Sequence, residues 1–112
     1  MKILFINLSA LRFTVATPDD APLGGSESAL CYLARALAAR GHDVALAVHL
    51  PEGQAGSIAG VRHFPVKIIK DLTFYHAEQF DIIILCNAPA AAAPVNALAP
   101  KARLIFLSLI HI

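Results

Sequence analysis

Three stretches near the start of the chain decide its fold: residues 2–8 read KILFINL, residues 26–40 read SESALCYLARALAAR, and residues 43–49 read DVALAVH. The first and third are short apolar runs, which predict buried strands. The middle stretch repeats leucine and alanine at spacings of three and four residues, which predicts an amphipathic helix. A strand, a helix and a second strand in this order predict a parallel pair joined by a right-handed crossover.

The rest of the chain continues the alternation of strands and helices. Its predicted segments are a loop at 9–25, a loop at 51–60, a strand at 61–66, a helix at 68–80, a strand at 81–86, an alanine-rich helical segment at 88–99 and a strand at 103–107. Pro65 weakens the strand at 61–66, so we expect that strand to be frayed or at an edge of the sheet. The dense apolar run at 81–86 is expected at the centre. The fold class that follows is α/β: a Rossmann-like parallel sheet with flanking helices.

Composition excludes several classes of protein. The chain has 112 residues, of which 57% are hydrophobic and 15% charged, so it is one domain at most and too apolar to be disordered. The formal net charge is +1 and the basic residues are scattered singly, so no nucleic-acid partner is expected. The clearest apolar run, 82–86, is far shorter than the roughly 20 residues of a spanning helix, so no transmembrane segment is expected.

The two cysteines, Cys31 and Cys86, have no CxxC spacing. They could form a disulfide or supply a nucleophile, or they could be two small buried apolar residues. We favour the last interpretation, because unpaired cysteines are often buried in proteins of reducing compartments. A cytoplasmic location is the corresponding expectation.

Residues 22–27, PLGGSE, contain the strongest local indication of a binding site. They lie between the first predicted strand and the first predicted helix, where open α/β sheets bind ligands. Glycines allow close approach of a ligand to the backbone, and a helix start favours a phosphate or carboxylate. The alternative is that Gly24 and Gly25 only turn the chain into the helix. The dinucleotide fingerprint and the Walker P-loop are both absent, and no pair of histidines has the spacing of zinc ligands.

Four stretches together resemble the opening of glycosyltransferase family 4 and its relatives: MKILFI at 1–6, PLGGSE at 22–27, LARALAARGHDV at 33–44 and FDII at 80–83. In that family a first strand is followed by a P-x-x-G-G-x-E loop and a helix that ends L-A-x-x-L-x-x-x-G-H-x-V. The similarity covers about residues 1–50 well, and the later stretch resembles a hydrophobic strand of the same family.

The resemblance implies a GT-B fold, in which two Rossmann-like domains face each other across a cleft. It implies a nucleotide-sugar donor as substrate, with no further cofactor and no metal at the catalytic centre. Gly24 and Gly25 fall on the family's glycine pair near the donor phosphates, and Ser26 follows them in the same loop. Glu27 falls on a position that is often acidic and would stabilise the helix start. Asn87 stands where the family often has a histidine facing the acceptor, which makes it an acceptor-side candidate.

The same resemblance implies an acceptor that is a sugar or a lipid-linked sugar, and it leaves peripheral membrane contact of the full-length enzyme open. Residues 1–106 are expected to be part of the acceptor-side N-terminal domain. The family's donor-binding acidic motif would lie in a second domain, so we expect the 112 residues alone to be inactive. The alternative from a different class is a stand-alone flavodoxin-like module that binds a small anion or has a regulatory role.

The last six residues, LSLIHI at 107–112, are those encoded by a transposon end used as a sequencing adapter. We therefore interpret 107–112 as a non-native tail. The other interpretation is a genuine apolar strand, which the residue types also permit.

Overall fold

The structure is a computed structural model that describes residues 1–20 and 25–108, with only the backbone of Asp20. The strands of the described part are β1 (Lys2–Asn7), β2 (Asp43–Val48), β3 (Gly56–Ile58), β4 (Val61–Pro65), β5 (Ile82–Cys86) and β6 (Arg103–Leu107). The α-helices are α1 (Thr17–Asp20), α2 (Gly25–Ala39), α3 (Leu72–Glu78) and α4 (Ala92–Leu98), with short 3-10 helices at Val66–Lys70 and Pro89–Ala91.

The strands form one sheet in the order β3-β4-β2-β1-β5-β6. Every neighbouring pair is parallel except β3 and β4, which are antiparallel. Numbered among themselves, the five parallel strands run 3-2-1-4-5, which is the Rossmann order, whereas a flavodoxin-like sheet runs 2-1-3-4-5. The predicted Rossmann-like α/β fold is confirmed, and the flavodoxin-like topology of the alternative is wrong.

Two hydrophobic clusters cover the two faces of the sheet. On one face α2 packs over β2 and β4, together with two side chains of the loop that follows β1, Phe13 and Val15. On the other face α3 and α4 pack over the central strands, with Phe74 at ring-centroid distances of 5.0 Å from Phe64 and 5.4 Å from Phe80. Parallel strands covered on both faces are buried throughout, which explains why β1, β2 and β5 are nearly continuous apolar runs.

The C-terminal end of α2 follows the sequence prediction closely. Gly41 has φ +93°, a left-handed conformation that costs glycine nothing. The N–H of His42 donates to Leu37 O at 3.2 Å, and the N–H of Gly41 donates to Ala38 O at 3.1 Å. This pair of bonds is the Schellman motif, so Gly41 ends the helix and His42 directs the chain into β2.

The expectation that β4 is frayed or at an edge is wrong. β3, which lies inside the predicted loop 51–60, pairs with the outer side of β4 through a tight hairpin. Ala59 and Gly60 connect the two strands with φ of 51° and 81°. The two-residue turns that suit a β-hairpin commonly need a positive φ at both central residues. Pro65 is the last residue of β4, where a missing N–H matters least.

Two other expectations also need correction. The predicted helix 68–80 is interrupted at Asp71, because its side chain accepts a hydrogen bond from the N–H of Thr73 at 2.9 Å and so begins α3 there. The predicted loop 9–25 contains α1 and packs partly into the core. Residues 109–112, most of the proposed tail, lie outside the described residues. No helix of the described residues is long and apolar enough to cross a membrane.

Candidate ligand-binding crevice

The strand order places a topological switch point between β1 and β5, and we call the space outside their carboxyl ends the crevice. The chain leaves β1 toward α2 on one face of the sheet and leaves β5 toward α4 on the opposite face. The two connections therefore diverge at the edge where the parallel strands end, which we call the carboxyl edge; the edge where they begin is the amino edge. In open α/β sheets this topological switch point is where ligands bind. Asn7 of β1 and Cys86 of β5 are register partners at its base.

The predicted site residues border this crevice. Gly25, Ser26 and Glu27 form the first turn of α2, so their backbone N–H groups belong to a helix start at the carboxyl edge. Gly25 is exposed, and Ser26 and Glu27 are half-buried. Gly24 lies outside the described residues. An anion placed at this helix start would meet the positive end of the helix dipole.

Asn87 lies at the same edge, directly after β5. It is exposed, and its φ of 49° is left-handed, a region that asparagine enters more readily than most residues. Its backbone N–H donates to Leu107 O at 2.9 Å. α2 packs over β2 and β4, whereas Asn87 directly follows β5, which is on the other side of β1 in the sheet. Asn87 and the first turn of α2 are therefore separated by β1.

Asn7 is a site residue that the sequence analysis missed. It is 3% exposed, its Nδ2 donates to Cys86 O at 3.1 Å, and its Oδ1 accepts from the N–H of Ser9 at 2.9 Å. One side chain thus joins the ends of β1 and β5 and starts the loop that leads to α2. A polar residue near the end of an apolar strand was the available signal, because such a group must find partners when it is buried.

The loop after β1 is anchored along residues 12–17. The N–H of Phe13 donates to His49 O at 3.0 Å, and Arg12 Nη1 donates to Leu50 O at 3.3 Å. Thr14 N–H donates to Thr17 Oγ1 at 2.9 Å, which shapes the turn into α1. Phe13 and Val15 are fully buried in the α2-face cluster. Phe13 and Val15 are separated by Thr14 in the sequence, and this two-residue alternation could have predicted that both side chains are buried.

A buried histidine holds the same loop. His63 of β4 is 2% exposed; its Nδ1 lies 2.9 Å from Val61 O, and its Nε2 accepts from the N–H of Val15 at 3.1 Å. A carbonyl oxygen cannot donate, so Nδ1 must carry the proton, and a backbone N–H cannot accept, so Nε2 must be bare. The ring is therefore neutral in one tautomer. Burial lowers the pKa of His63, and the carbonyls of Val61 and Gly56 oppose that shift. The sequence analysis did not single out His63.

The thiols of the two cysteines are expected to be unreactive. Both are free and fully buried, which confirms the interpretation from sequence. Burial raises the pKa of each thiol to about 12, so almost no thiolate exists near neutral pH and neither thiol suits a nucleophile. Cys31 Sγ donates to Thr14 O at 3.5 Å and so contributes to anchoring the loop.

Several other titratable side chains of the described residues lie at the surface. His49 and His76 are exposed, and Asp19 pairs with Arg35 at 3.0 Å on the surface. Within residues 1–20 and 25–108, no cluster of three or more His, Cys, Asp or Glu side chains could hold a metal ion.

A cavity of about 170 Å³ opens at the amino edge, far from the crevice, where the ends of α3 and α4 meet. It is lined by Tyr75, Phe80, Leu98 and Lys101, among others. Its volume is below the roughly 300–1,000 Å³ of typical small-molecule sites, and the Tyr75 hydroxyl already donates to Ile69 O at 2.6 Å. The topology therefore favours the switch-point crevice over this cavity.

Comparisons with known protein families, with curated proteins and with solved structures find no match for this chain. The case for the crevice thus depends on strand order, on the residues that border it, and on the physical chemistry of helix starts.

Proposed function

We propose that this chain is the acceptor-side Rossmann-like half of a GT-B glycosyltransferase. The complete enzyme would transfer a sugar from a nucleotide-sugar donor to a sugar or lipid-linked acceptor. The observation that supports this most is the pairing of a glycine-containing helix start and a polar strand end, Gly25–Glu27 and Asn87, on opposite sides of the β1–β5 switch point. The sequence motifs at 1–6, 22–27 and 33–44 point to the same family.

The proposed roles follow from the chemistry of sugar transfer. An acceptor hydroxyl attacks the anomeric carbon, the bond from that carbon to the donor phosphate oxygen breaks, and the nucleoside diphosphate leaves with the bonding electrons. The first turn of α2 would stabilise the negative charge that develops on this leaving group. Asn87, exposed beyond β5, would contact the acceptor. The resemblance assigns no metal to this reaction.

The proposal gives this chain one side of a two-sided site. Groups that position the donor would come from a second domain, and a reaction that depends on positioning loses most of its rate without them. We therefore expect the 112 residues alone to bind a nucleotide-sugar weakly and to transfer no sugar.

The DNA of the source locus is the first test. We expect the reading frame to continue beyond codon 106 into a second α/β domain, with codons that differ from the adapter string at 107–112. The product of that longer frame should transfer label from at least one of UDP-glucose, UDP-N-acetylglucosamine or GDP-mannose. A frame that ends in the genomic DNA directly after Ile112 would refute the proposal.

A matched pair of substitutions tests the site in that full-length product. In Gly25→Val the added side chain should keep the donor phosphate away from the backbone N–H groups of the helix start. The loss of one hydrogen bond to a charged group should lower kcat/KM for the donor about 10- to 100-fold. Ala29→Val adds a similar bulk at an exposed position one turn further along α2 and should leave kcat/KM unchanged. Equal effects of both substitutions would remove Gly25 from the donor site.

The helix start at the carboxyl edge also supports a second candidate, a stand-alone module that binds a small anion. Titration of the ¹⁵N-labelled chain with inorganic pyrophosphate separates the two. Saturable shifts of the Gly25–Glu27 amides at micromolar concentration would favour the module, whereas weak or absent shifts are expected for half of an enzyme site.

A further inference from the structure

His63 is a buried ionisable ring that contacts the loop after β1. It lies on β4, yet its acceptor nitrogen binds the N–H of Val15, a residue 48 positions earlier in the chain. Its other nitrogen is held at 2.9 Å from Val61 O, so the ring cannot turn its donor toward Val15 without losing that bond. The loop contact therefore requires the neutral ring.

Protonation of His63 would place two N–H donors against each other across 3.1 Å. The imidazolium would need a new acceptor for Nε2 or access to water, and the side chain is only 2% exposed. Moving the 13–17 segment away from β4 is the local change that separates the donors and admits water.

Among the described residues, no charged side chain shifts the pKa of His63. The titratable groups in the cluster on this face of the sheet are the thiols of Cys31 and Cys86, which remain neutral. Arg35, Glu27 and Asp19 act on the neighbouring Cys31 thiol, but none of them shifts the pKa of His63. From β3, Gly56 presents only its backbone carbonyl. Arg62, which precedes His63 on β4, donates hydrogen bonds to Glu78 and Asp43 instead.

The remaining anchors of the loop are its other hydrogen bonds, including the one from Arg12 to Leu50 O, and two apolar side chains. Phe13 N–H donates to His49 O, and Cys31 Sγ donates weakly to Thr14 O at 3.5 Å. The segment continues through α1 toward the first turn of α2. Its placement therefore affects how the chain approaches the crevice.

We propose that His63 is an acid-sensitive latch that holds the loop after β1 against β4 while its ring is neutral and releases residues 13–17 when the ring is protonated. The latch belongs to this chain whatever ligand the crevice takes. Only its consequence for catalysis, a loss of kcat/KM on the acid side, rests on the proposed glycosyltransferase function.

The test in the wild-type chain is NMR of the ¹⁵N-labelled protein, with no substrate present. At pH 7.5 the His63 ring should show a protonated Nδ1 and a bare Nε2, with a through-hydrogen-bond coupling between Nε2 and the Val15 amide nitrogen. As the pH falls through the pKa of His63, which burial lowers from the usual histidine value of 6.5, the coupling should disappear and the amides of residues 13–17 should shift together. The amides of β1 and β5 should keep their positions.

A thiol readout supplies an independent measure. Release of Thr14 uncovers Cys31, whereas Cys86 at the end of β5 serves as the internal control. With 4,4′-dithiodipyridine, which reacts in acid, the rate at Cys31 should rise about tenfold per pH unit below 6.5, the slope set by uptake of one proton. The rate at Cys86 should change far less.

Two variants complete the experiment. His63→Gln keeps an acceptor near the position of Nε2 and does not titrate, so its loop amides and Cys31 rate should lose the acid transition. His76→Gln removes an exposed histidine and should keep it. An Nε2-protonated ring at neutral pH, or loop amides that shift only when the whole sheet unfolds, would overturn the latch. If His63→Gln does not fold, those two wild-type observations still decide between acceptance and rejection.

Discussion

The two edges of the sheet are built from different chemistry. At the amino edge, Arg62 makes a two-pronged contact with Glu78 at 2.9 and 2.7 Å and reaches Asp43 at 3.0 Å, while Lys2 Nζ lies 3.2 Å from Glu78. At the carboxyl edge, the amide of Asn7 joins the ends of β1 and β5, and Arg12 Nη1 donates to the carbonyl of Leu50 after β2. The amino edge is joined by ion pairs, whereas these two links at the carboxyl edge are hydrogen bonds to backbone carbonyls.

The difference supports the proposal that the carboxyl edge is the one that takes a ligand. Ion pairs at the amino edge satisfy their charges among themselves, and they lower the pKa of Glu78, chiefly through the hydrogen bonds from Arg62. The carboxyl edge carries a helix start whose dipole favours an anion. A network of fixed charges there would compete with a charged ligand, whereas the neutral amide of Asn7 positions the backbone without adding a field.

The largest effect is expected where the carboxyl-edge loop enters the core. Phe13→Ala should lower the free energy of unfolding by about 3–5 kcal/mol, because it empties a fully buried site. Urea denaturation measures the change. Leu11→Ala, two residues earlier and 49% exposed, is the matched control and should have little effect. Equal stability of the two variants would mean that the loop does not belong to the core.

A smaller loss is expected from a charge placed at the base of the crevice. Asn7→Asp removes the donor to Cys86 O and puts a carboxylate beside that carbonyl, so we expect a loss of about 2–3 kcal/mol at pH 7. Burial should raise the pKa of the new carboxyl above that of the unfolded chain, so the loss should shrink as the pH falls toward 4, because the folded state then binds the proton more tightly than the unfolded state. Denaturation at pH 7 and pH 4 checks the sign. The exposed Asn87→Asp should show no such recovery.

At the amino edge, Glu78→Gln should lower the free energy of unfolding by about 1–2 kcal/mol, between the values for exposed and buried pairs. The folded pKa of Glu78 is lowered, so its stabilisation is present above its usual value of 4.5 and is lost as the pH falls below it. The variant should therefore lose less stability than the wild type in acid, as measured by thermal unfolding from pH 6 to pH 3. Asp19→Asn, in the exposed pair with Arg35, is the control and should change little.

The smallest effect is expected at Asn87. Because its φ is 49°, Asn87→Gly should leave stability within about 0.5 kcal/mol, whereas Asn87→Val should cost about 1–2 kcal/mol from left-handed strain. Thermal unfolding of both variants measures the difference. If Asn87→Gly were as damaging as Asn87→Val, side-chain contacts rather than backbone conformation would determine this position.

The sequence predicted the strands and the long helix closely, because their signals are local. The helix expected at 26–40 spans Gly25–Ala39, and the strand expected at 103–107 has those bounds. Two features that the sequence did not predict, β3 and the break before α3, depend instead on particular hydrogen-bond partners. β3 depends on pairing with β4, and the break at Asp71 depends on one side chain capturing the N–H of Thr73. Neither alters the apolar periodicity on which the predictions were based.

The candidate site divides in the same way. Gly25, Ser26, Glu27 and Asn87 could be placed at the carboxyl edge from sequence, because the end of a parallel strand and the helix start that follows must lie there. The hydrogen-bond partners of Asn7 and His63 could not be identified, since they are 79 and 48 residues away along the chain. Whether a polar residue of a strand is exposed or buried with partners is not encoded in its neighbours.

By itself, then, the sequence determined the α/β class, the bounds of the main elements and the edge at which a ligand is expected, because apolar period and helix stop signals act over a few residues. Only the tertiary structure decided the strand order, the burial of His63 against Val15, and the link from Asn7 to Cys86. Those features arise when distant segments must satisfy each other's hydrogen bonds away from water, and that requirement exists only once the sheet has formed.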